Sequence, residues 1–95
     1  MPEDYEAAGE LLRVLAAPIR LAIITRLAQG PATVGTLTAA VAQSQPLVSQ
    51  HLRILRSGRL VHATTEGRER VYELVDEHVA HIVADAIRHT AEPAR

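Results

Sequence analysis

Apolar positions recur along this chain at helical spacing for most of its first half, then at strand spacing, then at helical spacing again. Tyr5 to Ala16 predicts a first helix, with Leu11, Leu12 and Leu15 on one face. Pro18 suits the opening turn of a second helix striped by Ile19, Ile23, Ile24 and Leu27, and Gly30-Pro31 ends it. Thr33 is an N-cap candidate for a short third helix through about Val41. Ser44 caps a fourth, in which Pro46 is tolerated because a first-turn N–H has no intrahelical partner. Val48, Leu52 and Leu55 turn one face of that helix inward, and Gly58 stops it. Leu60 to Thr65 and Arg70 to Val75 then read as strands, with Glu66-Gly67-Arg68-Glu69 as the hairpin tip. Asp76 caps a final helix to about Ala91, and Pro93 closes it.

The predicted order is therefore α-α-α-α-β-β-α, a mainly helical chain with a β-hairpin, expected as one domain over residues 1–95. Two short helices joined by a tight turn and followed by a hairpin make a winged helix-turn-helix. In that arrangement the second helix of the pair enters the DNA major groove and the hairpin lies along the backbone.

Composition narrows this further. A chain of 95 residues with 47% hydrophobic residues and a mean hydropathy of +0.04 is globular, but its core is small, and dimerisation is one usual remedy. With Tyr5 and Tyr72 the only aromatic residues, the core must be aliphatic. The absence of cysteine excludes disulfides, thiolate metal sites and thiol redox sensing. No apolar run approaches the roughly 20 residues that span a bilayer. The acidic start MPEDYEAAGE lacks the regions of a signal peptide. The expectation is a cytoplasmic protein with no membrane partner.

The net charge of −1 is unevenly spread. Between Ser44 and Tyr72, five arginines face two glutamates, a balance of +3, while the remainder carries −4. A basic segment in an acidic chain is an electrostatic footprint for nucleic acid. With Val48, Leu52 and Leu55 inward, the fourth helix presents Gln45, Ser49, Gln50, Arg53 and Arg56. Gln pairs with adenine, Arg with guanine or phosphate, and Ser with either. A solvated helix face has the same composition; the adjacent helix, the short turn and the hairpin residues Arg68 and Arg70 favour DNA.

The final helix carries Asp76, His78, His81, Asp85, His89 and Glu92. At 100° per residue, His78, Asp85 and His89 fall within about 20° of one line. His78 and His89 lie about 16 Å apart along the axis, too far to share a metal within one chain. An antiparallel second copy would bring Asp76 and His78 of one subunit to His89 and Glu92 of the other, a four-ligand N/O set suited to tetrahedral zinc. A surface stripe of histidines without metal fits the same pattern. His81 and Asp85 lie outside that set. His81 reads as a solvated neighbour, with a substitute ligand as the alternative, and Asp85 as a carboxylate facing solvent or supporting a ligand. His51 reads as touching the DNA backbone or packing, and His62 as structural. Glu77-His78-Val79-Ala80-His81 has the wrong order and spacing for a metallohydrolase H-E-x-x-H motif, and a filled four-ligand site leaves no place for substrate water. An enzyme is not expected.

Several segments together resemble the ArsR/SmtB family of metal-responsive repressors. These are Leu15-Ala16-Ala17-Pro18-Ile19-Arg20-Leu21, Ser44-Gln45 with Val48-Ser49-Gln50-His51-Leu52, Leu60-Val61, and Gly67-Arg68 with Val71-Tyr72. The resemblance covers nearly the whole chain. It implies a homodimer through the first and last helices, with two recognition helices reading an inverted repeat in double-stranded operator DNA. It places base contacts at Gln45, Pro46, Ser49 and Gln50, of which Pro46 has no side-chain donor. Asp-x-His followed by His-x-x-Glu matches the family's zinc site, implying Asp76, His78, His89 and Glu92 as ligands. The family's cysteine cluster is replaced by Thr33-Val34-Gly35-Thr36. Zinc leads over nickel and cobalt, which favour more ligands. The resemblance further implies that metal weakens operator binding and derepresses an efflux or storage gene. It also implies that His89 reaches a backbone carbonyl near Arg59. A winged-helix regulator with no metal response is the alternative.

Overall fold

The computed structural model describes residues 2–93. Its elements run α1 (Glu3–Leu15), α2 (Pro18–Leu27), β1 (Ala32–Thr33), α3 (Val34–Val41), α4 (Gln45–Ser57), β2 (Val61–Glu66), β3 (Glu69–Leu74) and α5 (Glu77–Ala91). The mainly helical winged helix-turn-helix is as expected, with one strand more. Ala32 and Thr33 pair antiparallel with Tyr72 and Val71, so β3 is the central strand of a three-stranded sheet ordered β1-β3-β2. Two residues are too few to show an alternating pattern, which is why β1 is silent in the sequence.

The helix starts follow from their caps. Thr33 Oγ1 accepts from the Thr36 N–H at 3.2 Å, and Ser44 Oγ from the Leu47 N–H at 3.4 Å. Asp76 Oδ1 accepts from both the His78 N–H at 2.9 Å and the Val79 N–H at 3.3 Å. Each satisfies donors that the first helical turn leaves unpaired. Helix α1 starts at Glu3, two residues before the expected Tyr5; Glu3, Asp4 and Glu6 in its first turn complement the helix dipole.

The hairpin is tighter than expected. Its strands pair from Val61↔Leu74 to Glu66↔Glu69, leaving a two-residue loop of Gly67 and Arg68. Gly67 has φ 65°, and placing the left-handed residue first in the loop matches the twist of the strands. At the end of α4 the left-handed residue is Arg59 (φ 61°), whereas Gly58 has an ordinary φ of −79°. Gly58 is small for a different reason: a Cβ there would meet Val14 Cγ1 at 3.0 Å and Cγ2 at 3.3 Å. Its bare backbone is where α1 leans on α4.

Ile23, Ile24, Leu37, Val48, Leu52 and Leu55 are fully buried and form one core with Leu15, Leu27, Leu60, Val61, Val79 and Val83. Tyr72 is the aromatic member of this cluster. Val48, Leu52 and Leu55 face inward as their spacing predicts, which fixes the opposite face of α4 outward. On α1, Leu15 is buried and Leu11 packs against the core, but Leu12 stays 53% exposed and Tyr5 66%. Ile87 on α5 is 43% exposed and Val75, just before α5, 42%.

Candidate functional site

The outward face of α4 begins at Gln45 and Pro46, both exposed in its first turn, and continues through half-buried Ser49 to exposed Gln50, Arg53 and Arg56. The hairpin supplies the rest. Residues 70 and 72 alternate onto the same face of β3, and Arg70 Cζ lies 5.8 Å from the centroid of the buried Tyr72 ring. A cation over an aromatic face is attracted to it, so Tyr72 holds the Arg70 guanidinium toward α4. Ser49, Arg53, Arg56, Arg70, Tyr72 and Val34 line one concavity of about 250 Å³, with three guanidinium groups and no carboxylate.

Arg70 also borders a neighbouring depression with Gln45, Thr33, Gly35 and Glu69, so it joins the two ends of the α4 face. Arg68 is elsewhere: it stands at the hairpin tip, flanked by the Glu66↔Glu69 pair, and lines neither depression. Pro46 and Gln50 also line neither. Sequence reasoning gave Tyr72 no part in this surface. The signal was its i+2 spacing from Arg70 on a strand.

On α5 the metal-capable residues divide between the two ends. Asp76 is the N-cap, and His78 Nδ1 lies 3.7 Å from its Oδ1, with the His78 ring 87% exposed. His89 is exposed in the last turn and Glu92 is the C-cap. Among the described residues, no three His, Asp or Glu side chains of one chain are grouped to hold a metal ion. Asp85 accepts from Arg88 at 2.7 Å on the solvent side, and His81 is exposed. His62 Nε2 lies 3.3 Å from Glu73 Oε1 on the sheet, and His51 Nδ1 3.2 Å from Arg20 Nη1. Neither histidine joins the stripe.

Residues 17–63, from the start of α2 into β2, match the bacterial regulatory protein arsR family. The HTH-type transcriptional repressor SmtB of Mycobacterium tuberculosis is 50% identical over 92 residues, spanning 97% of this chain and 68% of that protein. The chain belongs to the ArsR family.

Solved structures agree with that membership. HlyU from Vibrio cholerae superposes on this ArsR chain with a TM-score of 0.86 at 29% identity, covering 97% of this chain and all of that one (100%). A homodimeric winged helix-turn-helix DNA-binding domain from Mycobacterium bovis does so with a TM-score of 0.79 at 30% identity, covering 90% of this chain and 80% of that one. This ArsR chain is thus a DNA-binding transcriptional regulator and not an enzyme. The α4 candidates from Gln45 to Arg56 lie inside the matched family segment, whereas Arg68, Arg70 and the α5 stripe lie beyond it.

Proposed function

We propose that this ArsR regulator is a homodimeric repressor that reads an inverted repeat in double-stranded operator DNA and is released when its α5 helices take up metal, zinc first. The observation that carries the DNA part is the concavity in which α4 meets Arg70, with three guanidiniums and no carboxylate. Such a surface neutralises phosphates, while Gln45, Pro46, Ser49 and Gln50 address base edges from the start of α4. Arg68 would follow the backbone from the hairpin tip. Residues 1–95 act as one winged helix-turn-helix unit, in the cytoplasm. No helix among the described residues is long and apolar enough to cross a membrane.

The dimer reading is supported by apolar side chains left uncovered on the first and last helices: Tyr5, Leu12 and Ile87, with Val75 beside them. The donors on α5 fit zinc in kind, two imidazoles and two carboxylates. They fit in placement because each end of the helix offers half a set. Asp76 and His78 would hold the ion together with His89 and Glu92 of the partner subunit. Bound there, zinc would supply positive charge and directed bonds linking the two α5 helices. His89 keeps a second ring nitrogen that can donate to a backbone carbonyl near Arg59, where α4 turns into β2. Nickel and cobalt are the alternative ions, and control without metal is the alternative mechanism.

The test is fluorescence anisotropy of the protein on its own upstream DNA, titrated with zinc and then EDTA, and repeated with nickel and cobalt. A reversible loss of affinity of about tenfold or more, a coupling of about 1.4 kcal/mol, supports a metal-released repressor. Tight binding indifferent to all three ions would leave the DNA-reading surface standing and remove the metal response. His89→Gln should keep DNA binding and lose release.

A further inference from the structure

We infer that Arg20 is a positioning residue for the reading helix, acting as a strut that joins the end of α1 to the middle of α4 through His51. Arg20 stands in the first turn of α2. Its Nε donates to the Val14 carbonyl of α1 at 2.6 Å, and its Nη1 lies 3.2 Å from Nδ1 of His51 on α4. The Val14 carbonyl is among the last four of α1, which have no intrahelical partner. One partly buried guanidinium therefore completes a helix end and reaches the helix that carries Ser49, Gln50 and Arg53.

The chemistry fixes the state of the histidine. A guanidinium only donates, so His51 Nδ1 must accept and the ring must carry its proton on Nε2. Protonating His51 would set two donors face to face and break the strut. Burial first, and then the charge of Arg20, hold the His51 pKa below the usual 6.5.

Among the described residues, Arg20 is the charged group that meets His51. On α1, Glu10 and Arg13 pair with each other. On α2, Arg26 turns to the Gly30 carbonyl. Helix α3 carries no ionisable side chain, and His62 on β2 is paired with Glu73. The strut thus sets the angle of α4 relative to α1, the helix proposed to meet a second copy. It thereby sets the spacing of two reading helices, a role that rests on the DNA reading above.

The test combines two readouts on the full chain. In DNA-free protein, nitrogen-detected NMR of the histidine rings should show His51 as the Nε2–H tautomer, titrating below 6.5, with its midpoint moving up in Arg20→Gln. A Nδ1–H ring overturns the strut whether or not any DNA binds. Second, on a labelled duplex of its own upstream DNA at about pH 7.5, Arg20→Gln should bind about tenfold more weakly than wild type. His51→Gln, whose amide oxygen still accepts from Arg20, should bind as wild type there. The ratio of wild-type to His51→Gln Kd should then rise as the pH falls to about 5.5. A ratio that stays constant, or wild-type affinity in Arg20→Gln, overturns the inference. Failure of wild type to bind the duplex strikes the DNA reading instead, and the NMR result still decides the strut.

Discussion

Adding one methyl group at Gly58 tests how closely α1 is fitted to α4. The backbone of Gly58 (φ −79°, ψ 0°) is open to alanine, so Gly58→Ala alone should gain about 0.4–1 kcal/mol by restricting the unfolded chain. Against this, the new Cβ would stand 3.0 Å from Val14 Cγ1 and 3.3 Å from Cγ2. Valine in a helix is held in one χ1 rotamer about nine times in ten, so Val14 has no cheap way to turn aside. Either it leaves that rotamer or α1 moves away from α4, at a cost of about 1–3 kcal/mol. The net expectation is a loss of about 1 kcal/mol, a fall in Tm of about 4–8 °C for a domain this size. Thermal or urea unfolding at fixed protein concentration measures it, because a dimer's stability depends on concentration. The decisive comparison is a double-mutant cycle. In a Val14→Ala background the two methyl groups are gone, and Gly58→Ala should become neutral or stabilising. Equal effects of Gly58→Ala in both backgrounds would refute the steric reasoning.

Other expectations follow from the same geometry. Ala42 holds a left-handed conformation (φ 55°, ψ 43°) at the end of α3, so Ala42→Gly should stabilise by about 0.5–1 kcal/mol, read from urea midpoints. Arg70→Ala should weaken DNA binding across sequences and reduce the slope of log K against log salt by about 0.9, one phosphate contact; an unchanged slope would place Arg70 off the backbone. Because His51 titrates below 6.5 when folded and at its usual value when unfolded, the unfolded chain binds more protons between those values. Stability should therefore drop as the pH falls below about 6.5, levelling once folded His51 protonates, and His51→Gln should flatten that stretch of a Tm-versus-pH curve.

Much of this was legible in the residues because the signals are local. Thr33, Ser44 and Asp76 announce their helices through short side chains that bond a backbone N–H two or three positions ahead. The inward set Val48, Leu52 and Leu55 needs nothing beyond helical period to fix the outward set. The misses are contacts between elements distant in sequence. Strand β1 exists because β3 lies beside it, and Gly58 is glycine because Val14 approaches it. Arg70, two residues beyond the tip, meets α4 because Tyr72 supports it, whereas Arg68 at the tip stays between two glutamates. His51 and Arg20 are 31 positions apart, and no period or motif joins them.

The cap on α5 has a consequence for genetics. Asp76 Oδ1 already receives two N–H groups from the first turn of α5, and the same carboxylate is a proposed metal ligand. An alanine there would confound two lesions, since losing an N-cap costs about 1 kcal/mol and frays the turn that carries His78. A regulator crippled by Asp76→Ala would say nothing about which function failed. Asparagine and serine cap nearly as well as aspartate but lack its negative charge. The informative alleles at this position are therefore Asp76→Asn and Asp76→Ser, and a screen limited to alanine would misassign the residue.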